Sequence, residues 1–242
     1  AKAGFAGAPD SDWIEIHNPR NTPLDLAGYG LSDDPALPFK WVMPAAVVPA
    51  HGFLVVFASE RATPVDPAGN LHAPFKLSAD AGSVVLTAPG GVTASAILNY
   101  PPQREDLAYG LTRQGAERFL EPTPRQFNHA TSYAGWLHEP VFSVERGYKD
   151  APFTLTITTP DAGAQILTST DGKAPYNAYT APFSVTSSRS VRASTARADY
   201  KSPRIQTHTY IFVNDIITAS YMNTSITQNS AYTTRLPARL PH

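Results

Sequence analysis

Apolar and polar residues alternate along much of this chain with a period of two. Phe153-Thr-Leu-Thr-Ile-Thr-Thr sets apolar side chains against hydroxyls, so one face meets a core and the other meets water. Ser190-Val-Arg-Ala-Ser-Thr-Ala-Arg and Ile205-Gln-Thr-His-Thr-Tyr-Ile-Phe read the same way. Trp13-Ile-Glu-Ile alternates near the start and turns Trp13 away from Ile14 and Ile16. Phe53-Leu-Val-Val-Phe-Ala is continuous and predicts a strand buried on both faces. Turn chemistry separates these runs. Pro89-Gly90-Gly91 joins Ser83–Ala88 to Val92–Leu98 as a hairpin, and Asp171-Gly172 closes another after Gln165–Thr170. With 23 prolines and 15 glycines, few windows can hold a helix. The pattern predicts an all-β chain.

Its 242 residues suit two modest domains. Glu121-Pro-Thr-Pro-Arg-Gln-Phe-Asn is a proline-rich exit, and Val141-Phe-Ser-Val opens a new strand series. The expected layout is an N-terminal arm over 1–9, a β-sandwich over 10–132, a linker over 133–140, a second sandwich over 141–212, and an irregular tail over 213–242. The tail is rich in Ser, Thr and Asn and has no core of its own. The chain begins without methionine and reads as a processed or excised piece.

Composition narrows the chemistry. The net charge of −1 and 16% charged residues provide no electrostatic footprint for nucleic acid. Arg189, Arg192, Arg197, Lys201 and Arg204 form the one cationic cluster, and Arg192 and Arg197 fall on opposite strand faces. No apolar run has the length of a membrane-spanning helix. Cysteine is absent, which excludes disulfides, thiolate metal sites and thiol nucleophiles.

Two resemblances emerge from the motifs. Asp12-Trp-Ile-Glu-Ile-His-Asn-Pro, Leu24-Asp-Leu-Ala-Gly-Tyr-Gly-Leu-Ser-Asp-Asp, Lys40-Trp-Val-Met-Pro, Val48-Pro-Ala-His-Gly-Phe-Leu-Val-Val-Phe-Ala and Leu77-Ser-Ala-Asp-Ala-Gly-Ser-Val-Val-Leu occur in order. Together with Pro122-Thr-Pro-Arg-Gln-Phe-Asn they resemble the lamin-tail domain over about residues 10–130. That family has glycine where Arg125 stands, so the exit turn is expected to be built differently. Phe142-Ser-Val-Glu-Arg-Gly-Tyr, Ala164-Gln-Ile-Leu-Thr-Ser-Thr-Asp-Gly-Lys-Ala-Pro, Tyr179-Thr-Ala-Pro-Phe and Ser190-Val-Arg-Ala-Ser-Thr resemble the module found at the C-terminus of chitobiase-type enzymes. Thr168-Ser169 replaces that family's usual aromatic-Thr pair. The resemblances imply two consecutive immunoglobulin-like β-sandwiches from a large exported bacterial protein, extracellular or at the cell surface. Such proteins often carry a CotH-like kinase region further on; this chain contains no kinase residues to inherit.

Reactive motifs are sparse. Gly-x-Ser-x-Gly, His-Glu-x-x-His, Gly-x-Gly-x-x-Gly and Walker-type loops are all absent. His17, His51, His72, His129, His138 and His208 never take zinc-ligand spacing on one element. A Ser-His-Asp triad assembles in space and leaves no spacing signature. Asp33 and Asp34 offer hard oxygens to calcium, with Asp10, Asp12 and Asp25 nearby, although aspartates there also serve as turn residues. Among aromatics, Trp41 is expected in a core and Trp136 between the domains. Tyr100 and Tyr109, on loops expected to be exposed, join Trp136 as candidate ligand contacts. The function expected is a non-catalytic accessory or adhesion module docking onto a glycan or protein surface. The alternative is a calcium-assisted hydrolase of small esters or lactones.

Overall fold

A computed structural model describes residues 11–171, 177–213 and 215. The chain divides into two compact units between Gly135 and Trp136. Among the described residues both units are built from strands, so the all-β expectation holds.

The first unit contains β1 (Asp12–His17), β2 (Leu24–Asp25), β3 (Gly30–Ser32), β4 (Trp41–Val42), β5 (Val47–Val48), β6 (Phe53–Ala58), β7 (Leu71–Ala73), β8 (Gly82–Thr87), β9 (Thr93–Tyr100), β10 (Ala108–Leu111), β11 (Glu117–Leu120) and β12 (Ser132–Tyr133). One sheet runs β1-β6-β7 and a second runs β4-β3-β8-β9. Leu31, Trp41 and Leu86 from the second sheet share a core with Val56, Ala58, Leu71 and Ala73 from the first. Ile14 and Ile16 pack against that core, while Trp13 lies on the opposite face with Val55 and Phe57. Strand β6 is therefore sealed on both sides, as its unbroken apolar run predicts. The β8–β9 hairpin turns at Gly91, with φ +82, where Ala88 N–H donates to the Val92 carbonyl.

Two backbone positions are decisive. Gly30 lies under the 33–40 loop, and a Cβ there would stand 2.3 Å from the Pro38 carbonyl oxygen. Arg125 takes φ +63, and its N–H donates to Glu15 Oε1 at 2.5 Å. An L-residue pays about 1–2 kcal/mol for that conformation.

The second unit contributes Trp136 of β13 (Gly135–Trp136), then β14 (Val141–Phe142), β15 (Gly147–Lys149), β16 (Phe153–Leu155), β17 (Ile157–Thr158), β18 (Gln165–Ser169), β19 (Asn177–Ala178), β20 (Phe183–Val185), β21 (Arg189–Ala196), β22 (Tyr200–Lys201) and β23 (Gln206–Phe212). A five-stranded sheet runs β15-β23-β21-β18-β19, with β15 and β23 parallel. The run from Phe153 is split, because β16 pairs with β20 and β17 with β14. Alternation survives the split: Leu155 and Ile157 join Phe142, Val185, Val191, Ala193, Tyr210 and Phe212 in one core. β18 and β19 pair antiparallel, and the Gly172 end of the expected Asp171-Gly172 turn lies outside the described residues. So do the arm over 1–9 and most of the tail.

Gly30→Ala is expected to lower stability by about 1–3 kcal/mol through overpacking against backbone. Gly90→Ala, whose Cβ would meet open space, is expected to be neutral in the same urea titration. At position 125, glycine is expected to exceed alanine in stability by about 1 kcal/mol, since both lose the arginine side chain and only glycine relieves the strain.

Candidate functional site

The residues singled out from the sequence are dispersed. Asp33 makes an ion pair with Lys40 at 2.7 Å, and the Lys40 ammonium also lies over the Phe75 ring. Asp34 accepts the Ala36 N–H, while Ser32 Oγ donates to the Asp34 carbonyl and accepts its N–H. Asp25 bonds the Ala27 N–H, and Asp12 lies in β1 opposite Ala58. Asp10 lies outside the described residues. Turn N–H groups and a lysine thus bond the carboxylates proposed for calcium. The described residues contain no grouping of three or more acids and histidines able to hold a metal.

The exposed loop predicted at Tyr100 is absent: Tyr100 is 5% exposed and ends β9. Its ring lies across Gly82 of β8, whose absent side chain leaves the room, and its hydroxyl donates to the Ser78 carbonyl. Burial raises its pKa. It packs within the fold in place of the exposed position its sequence context predicts. Tyr109 is half-buried on β10, edge-on to Phe119, with its hydroxyl donating to Glu117. Trp136 is half-buried and edge-on to His138, whose N–H and Nδ1 both bond the Asp161 carboxylate.

Two clusters escaped the sequence reading, both in the first unit. On β1, Trp13, Glu15 and His17 share the face opposite the main core, across from Phe57, Val55 and Phe53 on β6. At one end of that face His17 stacks on Phe53 at 4.7 Å, and Phe127 meets both rings edge-on at 5.2 Å. Phe127 is 49% exposed, His17 and Arg113 are also exposed, and the Arg113 guanidinium lies over the Phe127 ring. Arg113 donates to the Asn128 carbonyl, and Asn128 in turn to the Leu111 carbonyl, which ties the exit segment to β10. Partial burial, with help from His51, holds His17 below the usual histidine pKa. Deeper in the same layer, burial raises the Glu15 pKa while the Arg125 N–H opposes it.

At the other end of β6 lies a polar relay. Parallel pairing of β6 with β7 puts Phe57 beside His72, and their rings stack at 5.4 Å. His72 is 0% exposed, and its two ring nitrogens meet Ser59 Oγ at 2.8 Å and Asp66 Oδ2 at 3.3 Å. A carboxylate only accepts, so Nε2 is the donor to Asp66, and in the neutral ring Nδ1 is then the acceptor for the Ser59 hydroxyl. Asp66 also takes the N–H groups of Ala68 and Asn70 and the Asn70 side-chain amide. Led by Asn70, these donors hold its carboxyl well below the usual carboxylate range. No single element carries the three residues, and the parallel register that joins them is invisible in local spacing.

No protein-family model matches the chain, and no curated protein is significantly similar to it.

Folding lowers the Asp66 pKa, so its contribution is complete above the unfolded value of about 3.9 and fades as pH falls through the folded value. Asp66→Asn is therefore expected to be less stable than the parent at pH 7 and to lose less on acidification. Urea midpoints taken from neutral pH down to about pH 2.5 should converge. Parallel curves would show that the carboxylate does not carry this linkage.

Proposed function

We propose that the chain is an accessory docking module of a larger exported bacterial protein, displayed outside the cell. In this reading a lamin-tail-like immunoglobulin sandwich precedes a chitobiase-associated one. Support comes from the motif positions. Gly28, the glycine of Leu26-Ala-Gly-Tyr, has φ +78, and Arg125 keeps the left-handed backbone of the glycine it replaces.

The docking face is the His17–Phe53–Phe127 cluster, and the observation that carries it is Phe127. A half-exposed ring on an exit segment, beside an exposed imidazole and under a guanidinium, combines an apolar platform with a cationic donor, Arg113. The Arg113 guanidinium favours a carboxylated glycan over a neutral one, since it can donate charge-assisted hydrogen bonds to a carboxylate. This reading does not call on calcium: Asp33 is paired with Lys40, and the described residues hold no grouping of three acids or histidines able to bind a metal.

On a glycan array that includes uronate polymers, the chain is expected to bind acidic members. Phe127→Ala should weaken that binding about tenfold, roughly 1.4 kcal/mol, with folding unchanged by circular dichroism. Arg113→Ala should lower the affinity for acidic glycans more than for neutral ones. Binding indifferent to Phe127→Ala, or recognition of protein surfaces alone, would overturn the assignment.

A further inference from the structure

Beyond docking, we propose that Ser59 is an activated nucleophile that accepts acyl groups from small esters. Three observations converge on it. Ser59 Oγ lies 2.8 Å from His72 Nδ1, and the Asp66 carboxylate, 3.3 Å from Nε2, favours the neutral tautomer that leaves Nδ1 free to take the proton. Phe57 and the fully buried position hold the imidazole in one orientation. Ser59 itself is half-buried and directly follows the end of β6, while the base it contacts is fully buried.

Glu60, the next residue, adopts φ +56, a strained conformation for a side-chain-bearing residue and an exposed one at that. Its N–H reaches the Phe75 carbonyl only at 3.4 Å, a long bond that a developing oxyanion could displace. The relay differs from the usual serine-hydrolase arrangement, because here Nδ1 is the base and Nε2 is held by the carboxylate. Either nitrogen can act as the base, and which one does is set by the hydrogen bond the other makes.

The step balances without a metal or cofactor. Ser59 Oγ bonds the ester carbonyl carbon as His72 Nδ1 takes the hydroxyl proton. The carbonyl–alkoxide bond then breaks, and the alkoxide leaves with that proton as an alcohol. Water attacks the acyl–Ser59 carbonyl, gives one proton to His72, and releases the carboxylic acid. The proton returns to Ser59. His72 is closed to solvent, so the leaving group must reach the proton past Ser59 itself, which restricts substrates to small esters and lactones.

A tagged fluorophosphonate tests the assignment on the whole chain. The folded protein is expected to take one equivalent, with the adduct mapped to Ser59 by peptide mass spectrometry, and the urea-denatured protein none. Asp66→Asn should slow labelling about 10²-fold or more, and p-nitrophenyl acetate turnover should fall with it. Ser59→Ala, verified as folded by circular dichroism, should abolish both. No adduct on folded wild type, an adduct at another residue, or a rate unchanged in Asp66→Asn would each overturn the proposal. Peptide mapping on the wild-type chain decides even if a variant fails to fold.

Discussion

Strand β6 has two apolar faces, and the first unit is arranged to hide both. Val56 and Ala58 point into the main core, while Val55 and Phe57 point the other way and are almost as deeply buried. Each large side chain kept from water is worth about 1.5–3 kcal/mol, so the outer face cannot be left bare. Trp13 covers part of it from β1, and His72 of β7 stacks on Phe57. The exit segment contributes Phe127 over Phe53 and His17, and Arg125 over Glu15. Every feature of functional interest in this unit descends from that second layer of cover.

Polar groups drawn into such a layer bring demands of their own. A histidine with no solvent exposure needs a partner on each ring nitrogen, since an orphaned polar atom costs about 1–3 kcal/mol. Ser59 and Asp66 meet that need, and Asp66 then organises residues 66–70 around its remaining lone pairs. Glu15 poses a similar problem with the opposite outcome. Its half-buried carboxylate has a raised pKa, and its main-chain donor comes from a residue held at positive φ. The exit turn accepts backbone strain in return for a hydrogen bond to a carboxylate that packing has partly desolvated.

Local alternation made the strands readable, and it even turned Trp13 away from Ile14 and Ile16. What it could not supply was pairing. The run from Phe153 keeps its alternation of buried and exposed side chains although two different partners share it, because alternation depends on the residue's own pleat and not on its neighbour. Tyr100 was misread for the same reason. Its Tyr-Pro-Pro context signals a loop, whereas its burial depends on Gly82 across the β8–β9 ladder, and a glycine opposite an aromatic was the available clue. The Ser59–His72–Asp66 relay depends on a parallel pairing between β6 and β7, the arrangement least visible to short-range patterns.

Packing explains why His72 is buried and bonded, but it does not explain the condition of Ser59. A staple that served only to satisfy the imidazole would be best placed in the interior with its partners, where water could not compete for the hydroxyl. Ser59 is instead half-buried at a strand end, and the residue after it is an exposed glutamate held at positive φ, where a glycine would sit at lower cost. The Lys76 ammonium at 2.6 Å from the Glu60 carboxylate secures the side chain there, yet a surface ion pair of this kind contributes only about 0–1 kcal/mol. That is too little to offset a left-handed non-glycine residue on stability grounds alone. A strained backbone beside a hydroxyl that is hydrogen-bonded to an imidazole is the feature the proposed acyl transfer would draw on.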